Sequence, residues 1–505
     1  MHTEPALSNL TDNDDLVLTI DVGSSSLRTN LFTFQAERLP AFERQLPYEV
    51  RTTSDGGVEI DPHTLLNCLF SAIDWTLQRA RAAGVAGNIR AVGMCSLVSN
   101  LLGVAGNGSP TTPIYTWADT RCASEAARLR SLHDEAAIRE RTGCPIHSSY
   151  LPARLLWLKD ALPDAYARTA RWITIGDWVY LNIFGRSAQS LSVASWSGLL
   201  NRHTLTWDKD WLPSLDLNVD RLPPLVDVDY VFTGLHSLYA ARWRELSNVP
   251  WYPCVGDGAA SNLGSGCYTA DTIAVQVGTS SALRALVPYP PGIGTIPEGL
   301  WCYRLDRHTT LLGGALSEGG SLFAWLRNVL KIEDYAALEE EAMIMAPDSH
   351  GMTILPFLAG ERSLGWHDSA RATICGLSLD TRPAHLLRAG QEAIAYRLAQ
   401  VYDRLCEALP STNLIVASGG ALLGAPGWIA MLADVLGRPI TASAEPEASS
   451  KGVALLSLHS LGILSDFSQV PPALGKTHTP NMQRHTIYRQ AMQRQQLLYG
   501  ALLDE

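Results

Sequence analysis

Short apolar runs bounded by small residues alternate along the chain with longer amphipathic segments. Leu16–Ile20 and Leu27–Phe34 have the apolar character of buried strands, and the Gly/Ser turn between them predicts a hairpin. The same criteria predict further strands at Ile89–Cys95, Thr272–Val277, Ala282–Val287 and Leu414–Ala417. Helical patterns occur at Cys122–Arg141, Ala153–Lys159, Ala384–Leu409, Gly452–Leu464 and Met482–Leu503. This alternation of strands and helices predicts an α/β fold.

The first hairpin has a counterpart in the second half of the chain. There, another strand–turn–strand pattern places Gly278 in the position of Gly23. The position of Asp21 is taken by Gln276, so the second copy keeps the turn but lacks the acid. We therefore predict two related domains, each opening with a strand–turn–strand unit.

The composition of the 505-residue chain is that of a large globular protein, with 46% hydrophobic and 18% charged residues. Acidic residues outnumber basic ones by 50 to 39, and the net charge of −11 argues against a nucleic-acid partner. The nine cysteines include no CxxC pair, which argues against a disulfide framework or a structural zinc site. No apolar run reaches the roughly 18 residues that span a bilayer, and the first fifteen residues lack the features of a signal peptide. We therefore expect a cytoplasmic protein without a membrane partner.

Several common catalytic motifs are absent from the sequence. Gly475-Lys476-Thr477 ends like a phosphate-binding P-loop, but Val470 replaces the glycine that such a loop requires upstream. The GxGxxG, HExxH and GxSxG patterns do not occur. P-loop, dinucleotide-binding, metalloprotease and serine-hydrolase functions therefore have no motif support.

The composition of the two Gly/Ser turns suits phosphate binding. Small residues let backbone N–H groups and hydroxyls approach phosphate oxygens closely, and two turns, one per domain, can hold a polyphosphate between them. Asp21 ends the first strand, where a carboxylate can hold Mg²⁺ through water, and Arg28 lies beyond the turn as a further phosphate ligand. Each turn taken alone is equally typical of an ordinary tight hairpin.

Two further segments have a composition that suits catalysis or nucleotide binding. Asp257 ends an apolar run and precedes a small-residue segment of helical character. Near a helix N-terminus the dipole favours the ionised carboxylate that a general base requires, although an N-capping aspartate is the structural alternative. Gly419 and Gly420 follow the strand at Leu414–Ala417 and allow the backbone to approach a purine. A tight strand-to-helix turn has the same composition.

The order of these segments resembles the FGGY family of carbohydrate kinases, within the actin, Hsp70 and sugar-kinase superfamily. The segments that carry the resemblance are LTIDVGSSSLR from Leu18, TWADTR from Thr116, VGDGAASNLGSG from Val255, VGTSS from Val277, LAGERS from Leu358 and ASGGALLGAPGWIAMLADVLGRPI from Ala417. The resemblance implies a two-domain, actin-like (ribonuclease H-like) ATPase fold with a catalytic cleft between the domains. It places the domains at residues 15–253 and 254–468, followed by a helical tail at 469–505.

Carried over position by position, the resemblance implies phosphorylation of a sugar hydroxyl by ATP with Mg²⁺. Asp257 would be the general base, and Asp21 and Asp257 would be the metal-binding carboxylates. The nucleotide would be bound by Asp21, Gly23, Ser24, Ser25, Arg28, Gly278, Thr279, Gly314, Gly420 and Gly424. Phosphoryl transfer depends mainly on such positioning and on charge neutralisation.

The same resemblance implies a small sugar or sugar-acid substrate. Its pocket is expected from Ser99, Asn100, Trp117, Asp119, Arg121, His147, Asp257 and Gly258. Ser99 and Asn100 stand where many members of the family carry a histidine followed by a small residue. The segments Thr142–Asp160 and Ser190–Asp208 resemble the gluconate-kinase branch, and a gluconate carboxylate would need a cation such as Arg121 or His147. We predict gluconate as the acceptor, with xylulose or another ketopentose or polyol as the alternative.

A function of another class is the remaining alternative. Proteins with the same fold include ATPases that drive domain motion without a small substrate, and a relative that binds sugar without catalysis is conceivable. The acids at positions 21 and 257 and the two phosphate turns favour the enzyme. The sequence is compatible with a homodimer but does not define an oligomeric state.

Overall fold

The structure, a computed structural model, describes residues 14–290, 294–409 and 411–503. Residues 1–13, which make up most of the polar N-terminal segment considered above, lie outside the described residues. Two large β-sheets organise the chain, one in each half, and helices cover them. This arrangement confirms the predicted α/β class.

The first half of the chain supplies the first large sheet and several small ones. Its strands are β1 (Leu16–Val22), β2 (Ser26–Thr33), β3 (Arg44–Pro47), β4 (Arg51–Thr52), β5 (Val58–Ile60), β6 (Ile89–Ser96), β7 (Leu102–Val104), β8 (Ile114–Tyr115), β9 (Arg171–Ile173), β10 (Gln189–Ser190), β11 (Leu200–Asn201), β12 (Thr206–Trp207), β13 (Leu225–Val226) and β14 (Val255–Gly256). Its helices are α1 (Pro62–Ala82), α2 (Ala123–Leu132), α3 (Glu135–Thr142), α4 (Leu151–Ala161), α5 (Pro163–Arg168), α6 (Ile175–Phe184), α7 (Leu191–Ser195), α8 (Ser237–Arg242) and α9 (Asp257–Gly264).

The second half supplies the second large sheet. Its strands are β15 (Thr272–Val277), β16 (Ser281–Pro288), β17 (Trp301–Arg304), β18 (Thr309–Leu316), β19 (Thr353–Leu355), β20 (Thr373–Cys375), β21 (Leu414–Ser418), β22 (Ile440–Ser443) and β23 (Leu474–His478). Its helices are α10 (Gly320–Val329), α11 (Tyr335–Ile344), α12 (Pro383–Ala408), α13 (Gly420–Leu423), α14 (Pro426–Leu436), α15 (Ala448–Ser460) and α16 (Met482–Leu503).

The two large sheets share one topology. In the first, the order is β14–β6–β1–β2–β3, with β1, β2 and β3 antiparallel and with β6 and β14 parallel to β1. In the second, β22–β21–β15–β16–β18 repeat that order and those directions, and β17 and β23 extend the edges. The predicted pair of strand–turn–strand units is therefore confirmed as β1–β2 and β15–β16.

Two predicted helices differ from the structure in extent. The segment Cys122–Arg141 is predicted as one helix but forms α2 and α3. The break arises because Asp134 caps α3 and accepts a hydrogen bond from the Ala137 N–H at 3.1 Å. Helix α15 lies about one turn closer to the N-terminus than the predicted Gly452–Leu464. The predicted helix Met482–Leu503 forms α16, whereas the earlier part of the predicted tail contains β23, which pairs with β22 in the second sheet.

Helices α9 and α15 connect the two halves. Although α15 comes from the second half, it packs against β1 and β6 of the first sheet and against α9. A Cβ on Gly264 would lie 1.8 Å from the Ala448 carbonyl oxygen, and one on Gly452 would lie 1.8 Å from that of Ala260. The two backbones are therefore in direct contact, and only glycine fits at either position.

Strand β14 begins just beyond residue 253 and belongs to the first sheet. The division of the chain into domains at 15–253 and 254–468 stays a prediction.

In the part of the chain that the structure describes, no helix has both the length and the apolar character needed to cross a bilayer.

Candidate functional site

Asp21 and Asp257 lie at the same edge of the first sheet. Asp21, near the end of β1, is the register partner of Cys95 on β6, which in turn pairs with Val255 on β14. Because β1, β6 and β14 are parallel, their carboxyl ends meet at this edge, and Asp257 follows β14 directly as the first residue of α9. Gly256 takes the N-cap position, so Asp257 is not the capping residue.

A cavity of about 320 Å³ between the two halves contains both acids, and we call it the front cavity. The two Gly/Ser turns and the N-terminal end of α15 form much of its wall. The sequence-predicted residues that line it are Asp21, Gly23, Ser24, Ser25, Arg28, Trp117, Asp257, Gly258, Gly278, Thr279 and Gly420.

Both turns are closed by backbone hydrogen bonds. The Gly23 N–H donates to the Ser26 carbonyl at 3.0 Å, and the Gly278 N–H donates to the Ser280 carbonyl at 2.9 Å. A Cβ added to Gly278 would meet no other atom within 4 Å. The second turn therefore leaves open space in which an anion can approach the backbone.

Acidic side chains outnumber basic ones in the front cavity. Its charged residues are Asp21, Asp257, Glu445, Glu447, Arg28 and Arg284. Arg28 forms an ion pair within the protein, because its Nε lies 3.4 Å from Glu447 Oε2. Burial raises the pKa of Glu447 to about 7, although the charge of Arg28 opposes this effect.

Asp257 titrates near neutral pH. Burial raises its pKa to about 7, the charge of Asp21 adds to the rise, and Arg284 opposes it. Burial also raises the pKa of Asp21, which accepts a hydrogen bond from the Cys95 thiol at 3.3 Å. Asp257 Oδ1 accepts a hydrogen bond from the Gly258 N–H at 2.7 Å, which fixes the carboxylate. A carboxylate so placed has the properties of a general base.

A smaller cavity of about 100 Å³ adjoins the front cavity, and we call it the inner cavity. The two cavities share Asp257 and five other residues, which are Ser24, Trp117, Ser280, Ser281 and Arg284. Half of the remaining lining residues are aromatic, namely Tyr150, Trp196, Trp301, Tyr303 and Trp366. Asp257 therefore lies where a group in one cavity can react with a group in the other.

A third cavity of about 350 Å³, here the side cavity, lies next to the glycine turn after β21. Gly420 lines the front cavity, whereas Ala421 and Gly424 line the side cavity. Gly419 has a φ of 91°, and a Cβ there would lie 2.4 Å from the Val277 carbonyl oxygen. The side cavity is lined by the aromatic residues Phe323, Tyr335 and Trp428. Its position and apolar wall suit a flat ring system.

The predicted nucleotide residue Gly314 lines none of these three cavities, although its neighbour Ala315 lines the inner one. It belongs to β18, and a Cβ there would meet Val401 Cγ1 at 2.6 Å. Val401 is part of α12, so this glycine allows the helix to pack closely on the sheet. We assign Gly314 to packing.

Three predicted sugar-binding residues make contacts inside the first half instead. Asn100 is fully buried, and its amide is hydrogen-bonded to two backbone groups. Arg121 bonds to Asp119 and to Glu59 Oε1 at 2.7 Å, and its guanidinium stacks on Trp157. Asn100, Asp119 and Arg121 line neither the front nor the inner cavity, because these internal partners hold them elsewhere.

His147 lies behind the inner cavity. Its ring packs edge-on against Trp366 at 5.3 Å between centroids, and its Nε2 lies 3.0 Å from Asp368 Oδ1. Burial lowers the pKa of His147 to about 4, so the ring is neutral at pH 7 and is not the cation that a carboxylate needs. By contrast, Ser99 and Trp117 do line the inner cavity.

Arg284 and Arg362 line the inner cavity but are absent from the residues predicted from the sequence. Arg284 is the only charged residue of β16, and a single arginine in an otherwise apolar strand is a signal that could have identified it. Arg362 lies in the LAGERS segment, where the sequence alone does not show which side chain reaches a cavity.

Two sequence profiles of one known family match the chain. The N-terminal domain of the FGGY family of carbohydrate kinases matches residues 16–264, and the C-terminal domain matches residues 294–461. The chain belongs to the FGGY family of carbohydrate kinases. The predicted family, its two-domain actin-like fold and its enzyme class, a phosphotransferase with an alcohol acceptor, are thereby confirmed. The substrate of this kinase is a small sugar.

Individual relatives are similar over nearly the whole chain. A gluconokinase of Bacillus subtilis is 26% identical over 490 residues, which cover 94% of each chain. A gluconate kinase structure from Lactobacillus acidophilus has a TM-score of 0.87 at 24% identity and covers 97% of this chain and 98% of its own. A ligand-bound xylulose kinase from the same species has a TM-score of 0.88 at 24% identity, with the same coverage. These structures establish the shared fold and leave the sugar open.

Proposed function

We propose that the protein transfers the γ-phosphoryl group of ATP to a hydroxyl of gluconate. The observation that carries this proposal is the position of Asp257 at the junction of the front and inner cavities. We assign the ATP phosphates to the front cavity, the adenosine to the side cavity and the sugar acid to the inner cavity. The relative named as a gluconokinase, which aligns over 94% of both chains, supports this acceptor.

Asp257 acts as the general base in this proposal. The acceptor hydroxyl gives its proton to the ionised carboxylate as its oxygen attacks the γ-phosphorus, and ADP leaves with the bridging oxygen. A terminal hydroxyl is the expected acceptor, as the resemblance to the family implies. Arg284 lines both cavities, and its charge favours the ionised form of Asp257.

The two turns and the glycines after β21 are the proposed nucleotide contacts. Gly23, Ser24 and Ser25 line one wall of the front cavity, and Gly278 and Thr279 line another. Because the N–H groups of Gly23 and Gly278 close their own turns, the N–H groups and hydroxyls of Ser24, Ser25 and Thr279 are the ones suited to the phosphate oxygens. Gly420 and Gly424 lie at the passage towards the side cavity, where the base would stack on aromatic rings.

The residues of the front cavity fit a Mg²⁺ ion. Four carboxylates but only two guanidinium groups line this cavity, so a polyphosphate there needs a divalent cation for charge balance. Asp21 would hold the ion through water, with Asp257 as the second carboxylate. A bound Mg²⁺ neutralises charge on the transferred phosphoryl group.

Acceptor-dependent ADP release tests the proposal. With Mg-ATP and gluconate we expect ADP to form together with a product that has the mass of gluconate plus one phosphoryl group. The same reaction without gluconate serves as the control. ADP formation that is independent of any sugar would contradict the assignment of the inner cavity to an acceptor.

Gly278→Val should raise the KM for ATP by about tenfold or more and change the KM for the sugar much less. The new side chain would occupy the open space beside the turn, where the phosphate oxygens are expected. Steady-state kinetics with each substrate varied in turn measure both constants. Gly106→Val is the matched control, because a Cβ added to Gly106 would also meet no other atom within 4 Å but Gly106 lies in another turn. An unchanged KM for ATP would remove this turn from the phosphate site.

The rate should depend on pH through Asp257. Only the ionised carboxylate accepts a proton, and burial raises its pKa to about 7. We therefore expect kcat/KM to be level above this pH and to fall about tenfold per unit below it. The residual rate of Asp257→Asn should lack this inflection. An inflection shared by both proteins would show that another group titrates.

Xylulose is the second candidate acceptor. The likeness to the xylulose kinase structure, with a TM-score of 0.88, favours it. The same base and the same nucleotide contacts would serve a neutral ketopentose. It ranks below gluconate because it would leave the two arginines of the inner cavity without an anionic partner.

A further inference from the structure

The two guanidinium groups of the inner cavity, those of Arg284 and Arg362, donate hydrogen bonds to neutral acceptors. Arg284 Nη1 donates to Gln276 Oε1 at 2.6 Å, and Arg362 Nη2 donates to the Leu316 carbonyl. The Nε atoms of both arginines are buried without a hydrogen-bond partner. Among the residues that the structure describes, no carboxylate oxygen lies within 4.0 Å of either guanidinium group.

Other arginines in the interior differ in their partners or in their position. Arg202, Arg388 and Arg397 form ion pairs with glutamates. Arg154 and Arg304 donate to backbone carbonyls and line neither the front nor the inner cavity. Burying a charged donor without a partner costs free energy, and a ligand that supplies the partner recovers it. The two arginines of the inner cavity are therefore placed to receive an anionic group from a ligand.

We propose that Arg362, together with Arg284, binds the carboxylate of the acceptor and so makes this kinase selective for sugar acids. This inference rests on the proposed function, because it assigns one part of the same acceptor site. A planar carboxylate matches the fork of N–H donors on a guanidinium group. Arg284 lines both the front and the inner cavity, whereas Arg362 lines the inner cavity and not the front one. Arg362 is therefore the main anchor.

Contacts from both halves of the chain position Arg362. Its Cζ lies 4.4 Å from the centre of the Trp117 ring, which belongs to the first half, while its Nη2 is bound to Leu316 in the second. Burial lowers the pKa of Arg284 to about 10, the charge of Asp257 opposes this shift, and repulsion from the positive charge of Arg362 adds to it. A bound carboxylate would relieve that repulsion. With a pKa of about 10, Arg284 is still charged at neutral pH.

Aromatic rings around the arginines strengthen this interaction. Trp196 stacks on Tyr303 at 3.9 Å, and Trp301 stacks on Tyr303 at 4.2 Å between ring centroids. These rings give one side of the inner cavity an apolar surface, and charges attract one another more strongly beside such a surface than in bulk water. A neutral polyol in the same place would leave the guanidinium donors unpaired, which is the basis of strong discrimination.

Substitution of Arg362 separates carboxylate recognition from catalysis. We compare gluconate with glucitol, in which a CH₂OH group replaces the carboxylate. In the wild type we expect kcat/KM for gluconate to exceed that for glucitol by about 100-fold or more. Arg362→Met should raise the KM for gluconate by about 100-fold, with a small change in kcat and no loss of activity on glucitol. Arg362→Lys should recover part of the loss, because it restores a charge without the planar fork.

Two controls guard against misfolding and general effects. Thermal denaturation and ATP binding should be the same in Arg362→Met and in the wild type. Arg307→Met removes an arginine that pairs with Asp227 and Asp229 outside the cavities, and it should leave the ratio of the two acceptors unchanged.

The outcomes distinguish the two proposals. If the wild type phosphorylates none of the sugars offered, the proposed function fails. If it phosphorylates gluconate but Arg362→Met leaves the KM unchanged, or if activity on glucitol falls in parallel, the kinase assignment stands and the carboxylate site is refuted. A wild type that prefers xylulose to gluconate also refutes the carboxylate site.

Discussion

Asp257→Asn should lower kcat by about a thousandfold while ATP binding stays close to that of the wild type. Asparagine has the same shape, and its side-chain oxygen can still accept the hydrogen bond from the Gly258 N–H. Helix α9 therefore begins as before. The amide cannot accept a proton at neutral pH, so the attacking hydroxyl would lose its proposed base. Turnover and ATP affinity, measured on the same preparation, check both parts of this expectation.

The stability of Asp257→Asn provides an independent check. Burial raises the pKa of Asp257 in the folded state, so the protonated carboxyl favours folding. This contribution to stability is full below the pKa that Asp257 has in the unfolded chain, and it is lost as the pH rises through about 7. At pH 8 the neutral asparagine should therefore give a Tm equal to or above that of the wild type. Asp160→Asn, at an exposed position, should change neither Tm nor kcat. Turnover like that of the wild type in Asp257→Asn would exclude Asp257 as the base.

Gly452→Val should destabilise the protein by about 3 kcal/mol or more and reduce turnover as well. A Cβ at this position would lie 1.8 Å from the Ala260 carbonyl oxygen, and a helix backbone cannot give way as a side chain can. The displaced helix is α9, which begins with Asp257. A shift of about 1 Å in a catalytic group can cost 100-fold in rate. Thermal denaturation and kcat are the measurements.

Gly106→Val is the matched control for this substitution. A Cβ added to Gly106 would meet no other atom within 4 Å, so a valine there should shift Tm little and leave kcat unchanged. Equal Tm values for Gly452→Val and the wild type would show that the two helices are not in the close contact described.

Local patterns were sufficient to predict the framework of the fold. The runs Leu16–Ile20 and Thr272–Val277 predicted strands β1 and β15, and the turns after them predicted both hairpins, because buried strands and tight turns have strong local signatures. The place of Asp257, between a short strand and a helix of small residues, was predicted for the same reason.

Contacts between distant segments could not be predicted in this way. The pairing of Arg121 with Glu59, which keeps this arginine out of the cavities, joins residues 62 positions apart. The inner cavity brings Trp117 from the first half against Arg362 from the second, and no local pattern encodes that contact. The close crossing of α9 and α15 likewise depends on Gly264 and Gly452, and no local pattern in the sequence marks these two glycines.

A competition assay tests the central claim most directly. Mg-ATP is offered in one reaction with equal concentrations of gluconate, xylulose, glycerol and glucitol, and the phosphorylated products are separated by mass. Because the acceptors compete for one site, the product ratio gives the ratio of their kcat/KM values. We predict that gluconate phosphate dominates and that the formation of every product falls by about a thousandfold in Asp257→Asn. Preferential phosphorylation of a neutral sugar, or undiminished product formation in Asp257→Asn, would contradict this account.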